Sequence, residues 1–137
     1  MKKGITPIVS TIILLLITIA LAGAAWTYMQ GYLFAQISKS FTTPTGGAFC
    51  EAGIIKVYAL NTGYQSSLTS VPTTGGDFIL AEVDGVNAMS GLQAATLAQG
   101  QAGLVFQWNC GSTCSSGYHT VRLGTASTVA DPRINCP

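Results

Sequence analysis

From residue 4 to residue 38 the chain reads GITPIVSTIILLLITIALAGAAWTYMQGYLFAQIS, without a single Asp, Glu, Lys or Arg. No other feature restricts the fold as much. A bilayer core about 30 Å thick is crossed by a helix of roughly 20 apolar residues. The uncharged run would make a helix of about 50 Å at 1.5 Å per residue, well beyond one crossing. Residues 5–25 are apolar enough for lipid, whereas the last third brings in Trp26, Tyr28, Gln30, Tyr32, Phe34 and Gln36. That amphipathic extension suits protein neighbours. The pattern predicts a helix over residues 5–41, fading between Lys39 and Phe41, with a first part suited to lipid and a last part suited to protein.

Details inside the run support a helix. Pro7 fits a first turn, where its missing N–H costs no intrahelical bond. Thr6, Ser10, Thr11 and Thr18 can return their hydroxyls to carbonyls one turn back, which makes them tolerable in apolar surroundings. Ala20, Ala22, Gly23, Ala24 and Ala25 form a small-residue stretch of the kind that lets helix backbones approach closely in lipid. The plainer reading of that stretch is an ordinary anchor rich in alanine. Trp26, Tyr28 and Tyr32 read either as an interfacial belt or as the part of the helix that packs on protein.

The rest of the 137 residues suffices for one further compact domain. Only 8% of the chain is charged, against about a quarter in most soluble domains. Such a surface suits a subunit flanked by copies of itself or covered by glycans. Serine- and threonine-rich segments leave O-glycosylation open by composition, while no Asn obeys the N-x-Ser/Thr rule. Without Lys2 and Lys3, four basic residues would face five acidic ones, a net charge of −1. No basic patch remains, so nucleic acid is not an expected partner.

All four cysteines, Cys50, Cys110, Cys114 and Cys136, follow the apolar run. An even count beyond a membrane segment points to disulfides in an oxidising space. Of three pairings, Cys110–Cys114 with Cys50–Cys136 is preferred, the first closing a turn and the second tying the domain's first strand to its tail. Zinc is the rival, with Cys110 and Cys114 as half a site and Cys50, Cys136 or His119 as the remainder.

The head of the chain carries a resemblance. Lys2-Lys3-Gly4, followed at once by ITPIVSTIILLL, resembles the class III signal of type IV prepilin-like proteins in its archaeal form. The resemblance implies cleavage by a prepilin peptidase after Gly4, leaving Ile5 as the new N-terminus and residues 1–4 as the leader. Lysines at positions 2 and 3 would hold that leader on the cytoplasmic side. Bacterial type IV pilins have a glutamate at the fifth mature residue. Here that position is Val9, so the glutamate's docking role does not carry over. Pro7 fits the archaeal pattern.

Residues 42–48, TTPTGGA, read as a linker because Pro44 extends Thr43 and the glycines free the backbone. Beyond it the period becomes two. Residues 53–60 (GIIKVYAL) and 78–83 (FILAEV) alternate as strands. Segment 57–63, VYALNTG, is similar to segments of archaeal pilin β-sandwich domains. Residues 65–76 read as a loop or weak edge strand, and 86–89 as a short partner. Residues 92–100 are ambiguous. Residues 104–108 and 118–123 are expected to pair as a hairpin across the cysteine-bounded turn, with 125–129 as a last strand. The predicted fold is α+β: a long helix, then an antiparallel, immunoglobulin-like β-sandwich over residues 49–137.

Chemistry has little to work with. His119 is expected at a surface or edge position. Glu82 and Asp84, two apart, would share a sheet face, superficially as a carboxylate pair or with Asp77 as a weak calcium site, but a solvated face is the simpler expectation. No phosphate loop or nucleophile elbow is present, and neither an enzyme nor a cofactor is expected. The expected function is a major pilin of an archaeal adhesion pilus: a homo-oligomeric extracellular filament, membrane-inserted before assembly. The resemblance implies a prepilin peptidase and an assembly ATPase with its platform as partners. The rivals are an archaellin-like motility subunit and a membrane-anchored ligand-binding module.

Overall fold

The computed structural model describes residues 5–37, 39–64, 66–111 and 116–137. The chain divides into two units, Met1–Ala35 and Gln36–Pro137. The first is occupied by helix α1, Ile5–Ile37, 33 residues long. The run is rich in Leu, Ile and Ala and free of charge, and a helix closes its backbone bonds locally. The hydroxyl of Thr11 donates to the Ile8 carbonyl at 2.8 Å, and that of Thr18 to the Leu15 carbonyl at 2.8 Å.

The helix stops at Ile37, four residues short of the expected Phe41. Phe41 opens a strand instead and is 3% exposed, its ring edge-on to Phe78 at 5.1 Å. Burying a phenylalanine is worth about 1.5–3 kcal/mol, while one more helical residue gains only tenths. Burial wins.

The second unit is built of strands β1 (Phe41–Thr42), β2 (Ala48–Glu51), β3 (Ile54–Asn61), β4 (Leu68–Val71), β5 (Gly75–Gly76), β6 (Phe78–Val83), β7 (Val86–Asn87), β8 (Ala95–Leu97), β9 (Ala102–Asn109), β10 (Gly117–Thr125), β11 (Val129–Ala130) and β12 (Arg133–Cys136). A short 3-10 turn, Met89–Gly91, precedes β8. Every strand pairing among the described residues is antiparallel. The chain is thus α+β: one N-terminal helix followed by antiparallel sheets.

Two long strands organise these sheets. Along β3, one edge pairs with β9, and the other is shared end to end by β2, opposite residues 54–57, and β1, opposite residues 60–61. The stretch between β1 and β2, expected as a free linker, is stitched to the sheet. Gly47 N–H donates to the Pro44 carbonyl at 2.8 Å, and Tyr58 N–H to the Gly47 carbonyl at 2.7 Å. Strand β10 repeats the arrangement. One edge pairs with β6, and the other is shared by β12, opposite residues 117–120, and β11, opposite residues 123–124. A third, smaller sheet has the order β5-β4-β8.

Alternation puts Ile55, Val57 and Ala59 of β3 inward, with Val121 and Leu123 of β10. Phe106, Phe78, Leu92 and Ile134 complete the centre of one core. Gly91 is required there, since a Cβ would lie 2.8 Å from Phe106 and 2.9 Å from Trp108.

The expected hairpin of residues 104–108 with 118–123 does not form. Strand β9 pairs with β3, and β10 pairs with β6, β11 and β12. Both strands have an inward apolar face, and each buries it better in its own sheet than beside the other. The connection is also longer than the two-residue turns that enforce pairing. Cys50 of β2 is bonded to Cys136 of β12, 86 residues apart in sequence. Closing so long a loop restricts the unfolded chain, which the chain-entropy account values at about 4–5 kcal/mol. The expected Cys110–Cys114 pairing lies outside the described residues, as Cys114 does.

Two stability changes follow. Replacing both Cys50 and Cys136 by Ser is expected to lower unfolding free energy by about 2–5 kcal/mol, read from a denaturant melt. Ala52 occupies the turn between β2 and β3 at φ +51°, where a Cβ is strained. Ala52→Asn is expected to stabilise by about 0.5–1 kcal/mol, visible as a melting point a few degrees higher.

Candidate functional site

Within α1, Thr6–Leu33 forms 28 consecutive residues long and apolar enough to cross a membrane. All of them are exposed, among them Leu21 at 65% and Tyr28 at 75%. Gly4 lies outside the described residues, and Ile5 is the first residue of the helix. At 100° per residue, Ala20, Gly23, Ala24, Thr27 and Gly31 fall on one narrow face. The Thr27 hydroxyl folds back onto the Ala24 carbonyl at 2.9 Å, so this face is shallow along its length. Trp26 borders it on one side, and Tyr28 and Tyr32 on the other. Ala22 and Ala25 lie off that line. The surface can do one thing chemically: accept close apolar contact.

In the second unit, the first residues after the helix are gripped from three directions. Lys39 Nζ donates to the Ser67 carbonyl at 2.7 Å and pairs with Asp77 Oδ2 at 3.2 Å. The same carboxylate oxygen accepts the Thr69 N–H at 2.7 Å. Thr125 Oγ1 donates to the Lys39 carbonyl at 2.7 Å, Thr62 N–H to the Ser40 carbonyl at 3.1 Å, and Phe41 N–H to Thr128 Oγ1 at 3.3 Å. Sequence reasoning missed this grip. Its signal was a lone lysine just past an uncharged run, the residue type a nearby carboxylate would hold.

The remaining candidates separate rather than converge. Asp77 precedes β6 and Asp84 follows it, so they stand about 20 Å apart at strand rise. Asp77 belongs to Lys39. Glu82 and Asp84 do not form a pair: Glu82 lies 3.6 Å from Arg122 on the outer face of β6 and β10, whereas Asp84 turns toward β10. Among the described residues no group of three or more His, Cys, Asp or Glu stands together to hold a metal.

His119 corrects the sequence reading. It is 8% exposed, on the inward face with Val121 and Leu123, because Tyr118, Thr120 and Arg122 take the outward positions. Its Nδ1 lies 2.6 Å from Asp84 Oδ2, where an ionised carboxylate can only accept. The Thr120 N–H donates to Asp84 Oδ1 at 2.9 Å, and the Asp84 N–H donates to the Thr120 carbonyl at 2.9 Å. Asp84 can aim its carboxylate this way because it sits at φ +51° before Gly85 at φ +82°, the left-handed pair of a tight hairpin turn. The hydrogen bond from His119, then that from Thr120, holds the Asp84 carboxyl below its ordinary value, against a small opposing effect of burial.

Comparison with protein-family models, curated proteins and solved structures finds no match for this chain.

The Lys39 grip gives a direct test. Lys39→Met keeps the apolar stem and removes the charge, leaving Asp77 with one donor fewer. Head stability is expected to fall by about 1–2 kcal/mol in a denaturant melt, and Lys39→Arg is expected to recover part of it.

Proposed function

We propose that the chain is the main structural subunit of an archaeal type IV-like adhesion pilus. The observation that carries this reading is Thr6–Leu33, apolar and exposed on every side. A helix with no polar face has no side to give to water, so it needs apolar cover all round. Lipid supplies that cover before assembly, and neighbouring copies of the helix supply it afterwards. Because lipid and a helix bundle are about equally apolar, burial alone barely favours the filament. The narrow face of Ala20, Gly23, Ala24, Thr27 and Gly31 supplies the difference through close backbone contact. Under this reading the antiparallel sheets form an immunoglobulin-like sandwich outside the cell, with the disulfide suited to that oxidising space. A prepilin peptidase cuts between Gly4 and Ile5, and an assembly ATPase and its platform supply the work of extraction.

Gly23 makes the decisive test clean. A Cβ placed there meets nothing within 4 Å in its own chain, so a larger side chain leaves the subunit's fold unharmed. Gly23→Leu is expected to abolish filaments in negative-stain microscopy while membrane-inserted subunit accumulates. Wild-type pili from that variant would refute packing through this face. Monomers only, from wild-type cells, would favour the anchored binding module. Mass spectrometry of the filament subunit is expected to find Ile5 as its first residue.

A further inference from the structure

We propose that residues 43–47 are stored length in a tension-released strap, and that the Cys50–Cys136 bond is its stop. Strands β1 and β2 lie in line along one edge of β3, with Thr42 opposite Leu60 and Ala48 opposite Val57. Between those two pairs the strap has five residues where β3 has two, Tyr58 and Ala59. Three residues are therefore surplus, worth roughly 10 Å when extended. Strand β10 supplies the comparison. Its in-line partners, β11 and β12, are joined by Asp131 and Pro132, which pass two residues, Arg122 and Val121. No length is stored there.

The surplus is folded rather than loose, and folding it has a cost. Gly47 N–H closes a turn onto the Pro44 carbonyl at 2.8 Å, and a Cβ at Gly47 would lie 2.8 Å from Pro44 Cγ. Beside that turn, Thr43 Oγ1 is buried and meets no hydrogen-bond partner. A hydroxyl kept from water without a partner disfavours the closed form, and opening lets water reach it again. Opening this segment thus returns part of what closing it costs.

Load meets these parts in order. Tension arriving along the chain from α1 first reaches Lys39 and Phe41, which are held by Ser67, Asp77, Thr125 and Thr128. When that hold yields, the surplus straightens. Extension then ends at Cys50, whose sulfur passes the load to Cys136. A pull between α1 and the C-terminus bypasses residues 51–135, because they lie between the two bonded cysteines. The strap belongs to the head alone, so it stands whether or not α1 enters a filament.

The test is single-molecule pulling on the full chain in detergent micelles, with handles at position 36 and after Pro137. Wild type is expected to lengthen once by about 10 Å, reversibly, and then to stop. Cys50→Ser with Cys136→Ser removes the stop, and this variant is expected to lengthen by roughly 300 Å, at a higher force than the short step. At a fixed force, Thr43→Val is expected to shift the open-to-closed ratio about fivefold toward closed. Lys39→Met is expected to shift it about as far toward open. A wild-type extension as long as the double variant's, no short step below that variant's unfolding force, or an unchanged ratio in either substitution would overturn the strap.

Discussion

A helix meets its backbone hydrogen bonds within its own segment, and that local bonding governs the first quarter of this chain. Thirty-three residues close their bonds within α1, and the threonines fold their hydroxyls onto carbonyls a turn away. What remains on the surface is hydrocarbon and aromatic ring on all sides. Apart from its end turns the helix bonds its backbone internally, while its side chains from Thr6 to Leu33 stand exposed. Apolar cover for this helix is what the proposed function has to provide, and the sheets make no such demand.

The sheets solve a different problem. With few charges to spare, each one in the head is assigned a mechanical task. Lys39 and Asp77 hold the chain where the strands begin, Arg122 bridges Glu82 and Asp131 on an outer face, and Asp84 with His119 closes the opposite end of β10. Both β3 and β10 are flanked along one edge by two short strands in line, with a proline-containing link between them. Proline has no N–H to offer a ladder, so the break falls where a residue without a donor costs least.

The sequence made the helix and several strands legible because each is a local pattern. Absence of charge marks α1, and period-two alternation marks β3, β6 and β10. Partner choice was not local. Strands 104–108 and 118–123 look like a hairpin because they are neighbours in sequence, yet each finds its partner elsewhere. Strand β4 hid in a serine- and threonine-rich stretch, and β12 in a tail too short to show alternation. His119 was read as a surface or edge residue, yet it shares the inward face with Val121 and Leu123, and the carboxylate 35 residues away helps a polar ring to be tolerated there. The helix stop was misjudged because the pull on Phe41 comes from Phe78, which lies far along the chain.

The bond between Cys50 and Cys136 has a further consequence. It closes a covalent ring around nearly the whole head, and α1 precedes that ring in the chain. A protease that severs any loop inside that ring opens the ring without releasing a fragment. The two pieces stay joined through Cys50 and Cys136 and remain covalently attached to α1. Durability of this sort protects a surface against attack rather than against heat, and reduction of one bond would be enough to expose damage already done.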